Sequence, residues 1–212
     1  MHIADGVVSL PVLAVGSSLA AAGVALGLKK IDYRQIPRVG VLTAGFFVAS
    51  LIHIPVGPGQ VHLLMNGLTG IVLGWAAFPA LLVALFLQAL LFGYGGVTVL
   101  GLNTLTMALP AVCCHYLFGR HLAGQHQPRG TFLLAFAAGA SGVALSGTLL
   151  AATLYFSNRE FFGVATAILI AHLPVMVVEG ALTGGAVLFL KRVQPEIFHD
   201  IKPSVDNTAQ HH

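Results

Sequence analysis

Apolar residues in this chain run in long unbroken stretches and not at the three-to-four or two-residue spacing of a half-buried helix or strand. Residues 7–28, 36–54, 61–93, 103–119, 131–156 and 161–190 are almost wholly apolar, and short polar turns separate them. A helix needs about 20 such residues to cross roughly 30 Å of hydrocarbon. Five of the six runs read as one span each. The stretch 61–93 is too long for one, and it softens at Trp75-Ala-Ala-Phe-Pro79.

Basic residues decide that stretch, because Lys and Arg gather on the cytoplasmic side of membrane proteins. With two spans there, Lys29, Lys30, Arg34, Arg38, Arg120, Arg129, Lys191, Arg192 and Lys202 share one side, and only Arg159 lies opposite. With one span the ten divide evenly. The pattern predicts an all-α membrane protein of seven transmembrane helices, with the N-terminus outside and the C-terminus cytoplasmic. The spans lie near 7–28, 36–54, 61–76, 79–93, 103–119, 131–156 and 161–190. Pro79, which fixes φ and cannot donate to a helix, is the expected turn between the third and fourth. One transmembrane domain, 1–192, then precedes a polar cytoplasmic tail, 193–212. Glycine pairs at four-residue spacing, Gly23/Gly27, Gly70/Gly74 and Gly180/Gly184, mark faces where helix backbones approach closely in lipid.

Composition agrees. Hydrophobic residues make up 57% of the chain and charged residues 8%, against roughly 25% charged in soluble domains. Ten Lys and Arg against seven Asp and Glu is too small a surplus to suggest nucleic acid. Cys113 and Cys114 are adjacent, where a disulfide is strained, and read as packing residues. The opening Met-His-Ile-Ala-Asp has neither a basic n-region nor a small-residue cleavage pattern, so no removed leader is expected. His211 and His212 are left aside as a native end or a tag remnant.

The ten histidines are the first place to seek chemistry, since neutral imidazole ligates nickel, cobalt, copper and zinc. His121, His126 and His199 fall in polar cytoplasmic segments. His2, His53 and His62 fall at the outer ends of the first three spans. Position two carries the sharper argument. A free amine, the next backbone nitrogen and the second-residue imidazole close adjoining five- and six-membered chelate rings, setting three nitrogens in a plane. The amide must lose its proton, a demand that Cu(II) and Ni(II) meet and Zn(II) or Mg(II) rarely do. Met1 precedes a large residue, so it is expected to persist and keep its amine. Another imidazole fills the remaining position: His62, which follows a Pro/Gly-rich turn, with His53 as rival. Asn66 lies four residues beyond His62, on the same face if both are helical.

Other polar residues lie in the apolar runs, where each is costly and a functional candidate: Gln88, Asn103, His115, His172 and Glu179. His172 and Glu179 are two turns apart on one helix face and are candidates for a His–carboxylate pair. Glu179 has three readings: holding a partner helix, orienting a ligand histidine, or lying near the surface. His115 reads as structural.

Three stretches carry a resemblance. They are Met1-His2-Ile3-Ala4-Asp5-Gly6, then Val61-His62 with Gly67, Gly70 and Gly74, and then Gln88 through Gly95, Gly96, Thr98, Gly101, Asn103 and Met107. In these the chain resembles the CbiM/NikM family, the substrate-specific components of energy-coupling-factor transporters for cobalt and nickel, over the whole membrane part. The resemblance implies a seven-helix bundle into which the N-terminus threads. It implies a metal bound by the Met1 amine, the His2 backbone nitrogen and imidazole, and His62. His53, Asn66, Gln88, Asn103, His172 and Glu179 are supporting or alternative candidates. It implies import of Co(II) or Ni(II) as substrate, with no cofactor of the chain's own and a link to cobalamin biosynthesis. The family's partners are a transmembrane coupling protein, two cytoplasmic ATPases and a small accessory membrane subunit. A Gly-x-x-x-x-Gly-Lys-Ser/Thr phosphate loop is missing from the sequence, so ATP hydrolysis belongs to those partners. There are two departures. Leu63-Leu64-Met65-Asn66 follow the third-span histidine where many relatives have small and polar residues, and Tyr94 stands where many have histidine. An intramembrane metalloenzyme and a haem-binding anchor are the competing readings. The first lacks a His-Glu-x-x-His run or paired acids within a span; the second has only His115 and His172 as axial ligands.

Overall fold

The computed structural model describes residues 2–56, 59–199 and 201, with the side chains of 53–61 and 199 left aside. The chain is a bundle of helices: α1 (Leu10–Lys30), α2 (Ile36–Ala49), α3 (Asn66–Leu73), α4 (Ala77–Phe92), α5 (Leu100–Cys114), α6 (Arg120–Gly124), α7 (Pro128–Ser157), α8 (Phe162–Val193) and the short α9 (Glu196–His199). Among the described residues, five helical stretches are long and apolar enough to cross a membrane: Leu10–Lys30, Asn66–Phe92, Leu100–Gly124, Pro128–Ser157 and Arg159–Val193. A multi-pass membrane protein follows. The 14 residues of α2 fall short of that length, and a small hairpin takes over where the second span was expected to end. Its strands β1 (His53–Val56) and β2 (Gly59–His62) pair antiparallel, with His53 opposite His62.

The long apolar run 61–93 breaks, but not at Pro79. The backbone turns at Gly74, which has a φ of +53° that side-chain-bearing residues rarely adopt, and a single 3-10 turn, Gly74–Ala76, leads into α4. Pro79 sits in the first turn of α4, where no N–H is required of it. The chain reverses at this point. The first half of α4 lies against α1, a Gly23 Cβ meeting the Phe78 ring, while the glycines that follow α4 lie against His2 and Asp5 at the opposite end. α3 is short and begins deep in the bundle, where the Cα atoms of Gly67 and Gly139 approach closely enough that a Cβ on Gly67 would come within 2.5 Å of the latter.

The paired glycines are packing surfaces. A Cβ on Gly27 would lie 2.5 Å from the Trp75 carbonyl oxygen, one on Gly70 would lie 2.0 Å from that of Ala111, and Gly74 lies under the His115 ring. Gly180 and Gly184 seat Phe136 and Phe132, which makes α7 and α8 an antiparallel pair. In lipid, where apolar surface gains nothing by leaving the solvent, this closeness of backbones holds helices together.

The bundle has two ends. One holds the N-terminal segment, the turn after α4 and the α7–α8 connection. The other holds Lys30 over the Trp75 ring and Lys191, whose ammonium donates to the carbonyls of Leu122 and Gln125. The segment read as a polar tail starts by folding back: Ile197 and Phe198 are buried beside Leu68, Val72 and Leu122. Its remainder, 202–212, lies outside the described residues.

Candidate metal centre

The N-terminal segment is docked. Asn103, near the start of α5, grips the backbone of Ile3 from both sides: the Ile3 N–H donates to Asn103 Oδ1 at 3.0 Å, and Asn103 Nδ2 donates to the Ile3 carbonyl at 3.1 Å. The Ile3 side chain is buried among Val99, Leu102 and Leu150. The Thr98 hydroxyl donates to the Asp5 carboxylate, and the Ser9 N–H donates to Ser157 Oγ. Gly95 and Gly96, with φ of +77° and +152°, form the bed of the segment. A Cβ on Gly95 would lie 3.4 Å from the Cβ of His2 and the Ile3 carbonyl, and one on Gly96 would lie 2.1 Å from the Asp5 carboxylate. Only glycine supplies both the backbone conformation and the space.

Docking brings His2 to His62. The two imidazoles lie with ring centroids 4.7 Å apart and planes tilted by 37°, and Tyr94 lies 5.9 Å from His2 on another side. His62 is buried at the end of β2. Its Nδ1 lies 2.9 Å from the Leu63 carbonyl. A carbonyl can only accept, so Nδ1 carries the proton and a neutral ring keeps its lone pair on Nε2. Metal-ligating histidines are commonly fixed in this way, by donating the other ring nitrogen to a backbone oxygen.

The chain after His62 is held by Glu179 of α8. This buried carboxylate accepts from the N–H of Leu64 and from the N–H of Met65, the latter at 2.9 Å to both oxygens. Met65 takes φ of +47°, a strained turn for a non-glycine residue, and the carboxylate's hold on these two N–H groups keeps it there. Asn66 then opens α3 and donates from Nδ2 to Ser146 Oγ of α7 at 2.7 Å.

The sequence candidates therefore separate. His2 and His62 meet, Asn103 holds the segment that carries His2, and Glu179 and Asn66 hold the chain that follows His62. Because α3 begins at Asn66, His62 belongs to a strand, and the four-residue helical spacing to Asn66 is lost. His172 and Glu179 do not pair. His172 donates from Nδ1 to the Ile168 carbonyl at 2.5 Å, and its buried Nε2 has no hydrogen-bond partner among the described residues. Gln88 instead ties α4 to the end of α2, donating to Ser50 Oγ at 2.7 Å. Met1 and the side chain of His53 lie outside the described residues. Asp5, Gly95, Gly96 and Thr98 entered the sequence reading only through the stretches that carry the resemblance, and Ser146 and Ser157 did not enter it. Asp5 had a signal, an acid beside the chelating positions; the two serines had none.

Among the described residues no three His, Cys, Asp or Glu side chains converge.

A family model described as the cobalt uptake substrate-specific transmembrane region matches residues 2–197. The chain belongs to the CbiM family. Over 200 residues it is 39% identical to a provisionally named metal transport protein of Haemophilus influenzae, covering 94% of this chain and 97% of that one. It is 32% identical to the cobalt transport protein CbiM of Sorangium cellulosum, covering 93% of this chain and 94% of the relative. A fused nickel transport protein, NikMN, of Rhodobacter capsulatus is 30% identical, and this chain spans 63% of its length. Among solved structures, a crystal structure of a transition metal transporter superposes with a TM-score of 0.74 at 27% identity, covering 94% of this chain and 97% of that one. The CbiM match begins at His2 and includes every described residue of the docked segment.

Proposed function

We propose that the chain captures one Co(II) or Ni(II) ion at the outer face of the cytoplasmic membrane. Its ligands are the Met1 amine, the His2 backbone nitrogen and imidazole, and the His62 imidazole. The observation that carries this reading is the 4.7 Å approach of the His2 and His62 rings across sixty residues of chain, at a site where a second-position histidine already supplies a chelate. The Nδ1–H to Leu63 contact supports it by leaving Nε2 of His62 as the donor. Four nitrogens in or near a plane favour Ni(II) among the metals the family's names mention.

The chain is the substrate-binding subunit of an energy-coupling-factor importer, crossing the cytoplasmic membrane of a prokaryote seven times. The end that carries Lys29, Lys30, Arg34, Arg120, Arg129 and Lys191 faces the cytoplasm. Its partners in that importer are a coupling protein, two ATPases and a small accessory membrane subunit. The fused NikMN relatives support such an arrangement, since their names join two transport components in one chain.

An extension of several residues before Met1 tests the ligand set. The amine is then too far along the chain to join the imidazole in one fused chelate; a single added residue would not serve, because an amine two residues ahead of a histidine is itself a four-nitrogen Ni(II) chelate. Calorimetric titration of purified protein with Ni(II) or Co(II) should lose its high-affinity phase, and His2→Ala and His62→Ala should do the same with the melting curve unchanged. Binding by the extended protein as tight as by the parent would refute the amine as ligand.

A further inference from the structure

The α1–α2 junction combines an apolar groove with a group of cations that metal capture does not use. A groove of about 870 Å³ runs between α2 and α4, lined by Tyr33, Ile36, Gly40 and Phe47 on one side and Pro79 and Val83 on the other. α2 is loosely held, since Phe46 and Ala49 are its buried residues and both lie near its far end. From Ile36 to Phe47 is eleven residues, about 16 Å of helix, or about half the roughly 30 Å hydrocarbon thickness. The groove is as long as one leaflet is deep.

Its mouth is cationic. Lys29, Lys30 and Arg34 are exposed and neighbour in sequence the groove-lining residues Leu28, Ile31 and Tyr33. Lys30 also stands over the Trp75 ring and, with Gln35, Arg38 and His115, lines a separate polar cavity of about 200 Å³. Two acids lie nearby. Asp32 accepts from the Arg34 N–H, and Glu196 borders a neighbouring cleft with Arg34 and Arg38. Among the described residues, Lys29, Lys30 and Arg34 outnumber these two acids. Topology alone asks for basic residues somewhere on this side, but not for an acyl-deep groove whose lining begins at the residues next to them in the chain.

We propose that this junction is a binding site for one anionic phospholipid, its phosphate at Lys29, Lys30 and Arg34 and an acyl chain in the groove between α2 and α4. In a bilayer such a groove is filled by lipid, and the charge at its mouth selects which lipid. Basic pockets between membrane helices recognise phosphate headgroups by this combination of charge and apolar contact.

Two variants separate headgroup from chain. The triple variant K29Q/K30Q/R34Q removes the charge. Gly40→Phe fills the groove, and it has room, since nothing lies within 4 Å of a Cβ placed there. Purified protein in detergent is titrated with phosphatidylglycerol or phosphatidylcholine and read by native mass spectrometry, with Ni(II) binding as the check that each variant is folded. The parent should retain phosphatidylglycerol at least about tenfold more tightly than phosphatidylcholine. The triple variant should lose that preference, and Gly40→Phe should lose retention of both lipids. Equal retention of the two lipids by the parent, unchanged retention in either folded variant, or full displacement by inorganic phosphate overturns the proposal. So does stable occupancy of the groove by a co-purified protein in place of lipid.

Discussion

Asn103 is the most direct lever on the centre, because it touches the docked segment and not the metal. Asn103→Ala removes both hydrogen bonds to Ile3. Each is worth about 1 kcal/mol net, and the Ile3 N–H and carbonyl are left buried, so about 2–4 kcal/mol is lost from the docked state. At 1.4 kcal/mol per tenfold, docking weakens by about 30-fold to several-hundred-fold. Affinity falls only by the part of this that leaves the segment undocked. The burial of Ile3, the Asp5–Thr98 bond and the Ser9–Ser157 bond hold some docking in reserve. Calorimetric titration with Ni(II) should therefore show a loss between about tenfold and several-hundred-fold. Asn103→Asp keeps one acceptor for the Ile3 N–H and loses the donor, so it should fall between parent and Asn103→Ala. A thermal melt in detergent serves as control, since Asn103 lies near one end of the bundle. If Asn103→Ala binds Ni(II) as the parent does, the docked segment does not need this clamp and the reasoning fails.

Other outcomes follow from the same geometry. Glu179→Ala strands the buried Leu64 N–H and the part-buried N–H of the strained Met65; it should cost about 2–3 kcal/mol and weaken metal binding, both read in paired melts and titrations, with Glu179→Gln closer to the parent. Gly70→Ala drives a Cβ to 2.0 Å from the Ala111 carbonyl oxygen, whereas Gly45→Ala meets nothing within 4 Å; the first should lower the melting temperature by an amount equivalent to about 1–3 kcal/mol or more and the second should leave it unmoved. Metal affinity should rise with pH, because the amine, the amide and the imidazole each bind only when unprotonated. A titration series from pH 6 to pH 8 that stays flat would contradict nitrogen-only capture.

The helices were legible because runs of apolar residues of bilayer length have few other uses, and because six glycines at four-residue spacing each face a neighbour in the folded chain. The turn at Gly74 was not. Pro79 announces itself through its chemistry, but a proline in a first helical turn satisfies its constraints without bending anything, while a glycine gives no local sign that it will adopt positive φ. The hairpin before His62 was hidden for a related reason, since Ile, Val and Leu serve strand and membrane helix alike. Chelate chemistry singled out His2 and His62, whose rings the structure brings together. Asn103 and Glu179 were readable only as polar residues in the wrong solvent. That Asn103 holds Ile3 and Glu179 holds Leu64 and Met65 depends on contacts across 100 and more residues, which no local pattern encodes.

Glu179 reaches back 115 residues to the backbone beside His62, and Ser157 reaches back 148 to the first helix entry. During synthesis the His2–His62 pair therefore emerges from the ribosome long before the groups that lock it. A nascent chain halted ahead of the last two long helices carries both imidazoles but neither latch. Asn103 and Thr98, which hold the docked segment, are already present in such a chain, but the carboxylate that holds the backbone after His62 comes only with the last long helix.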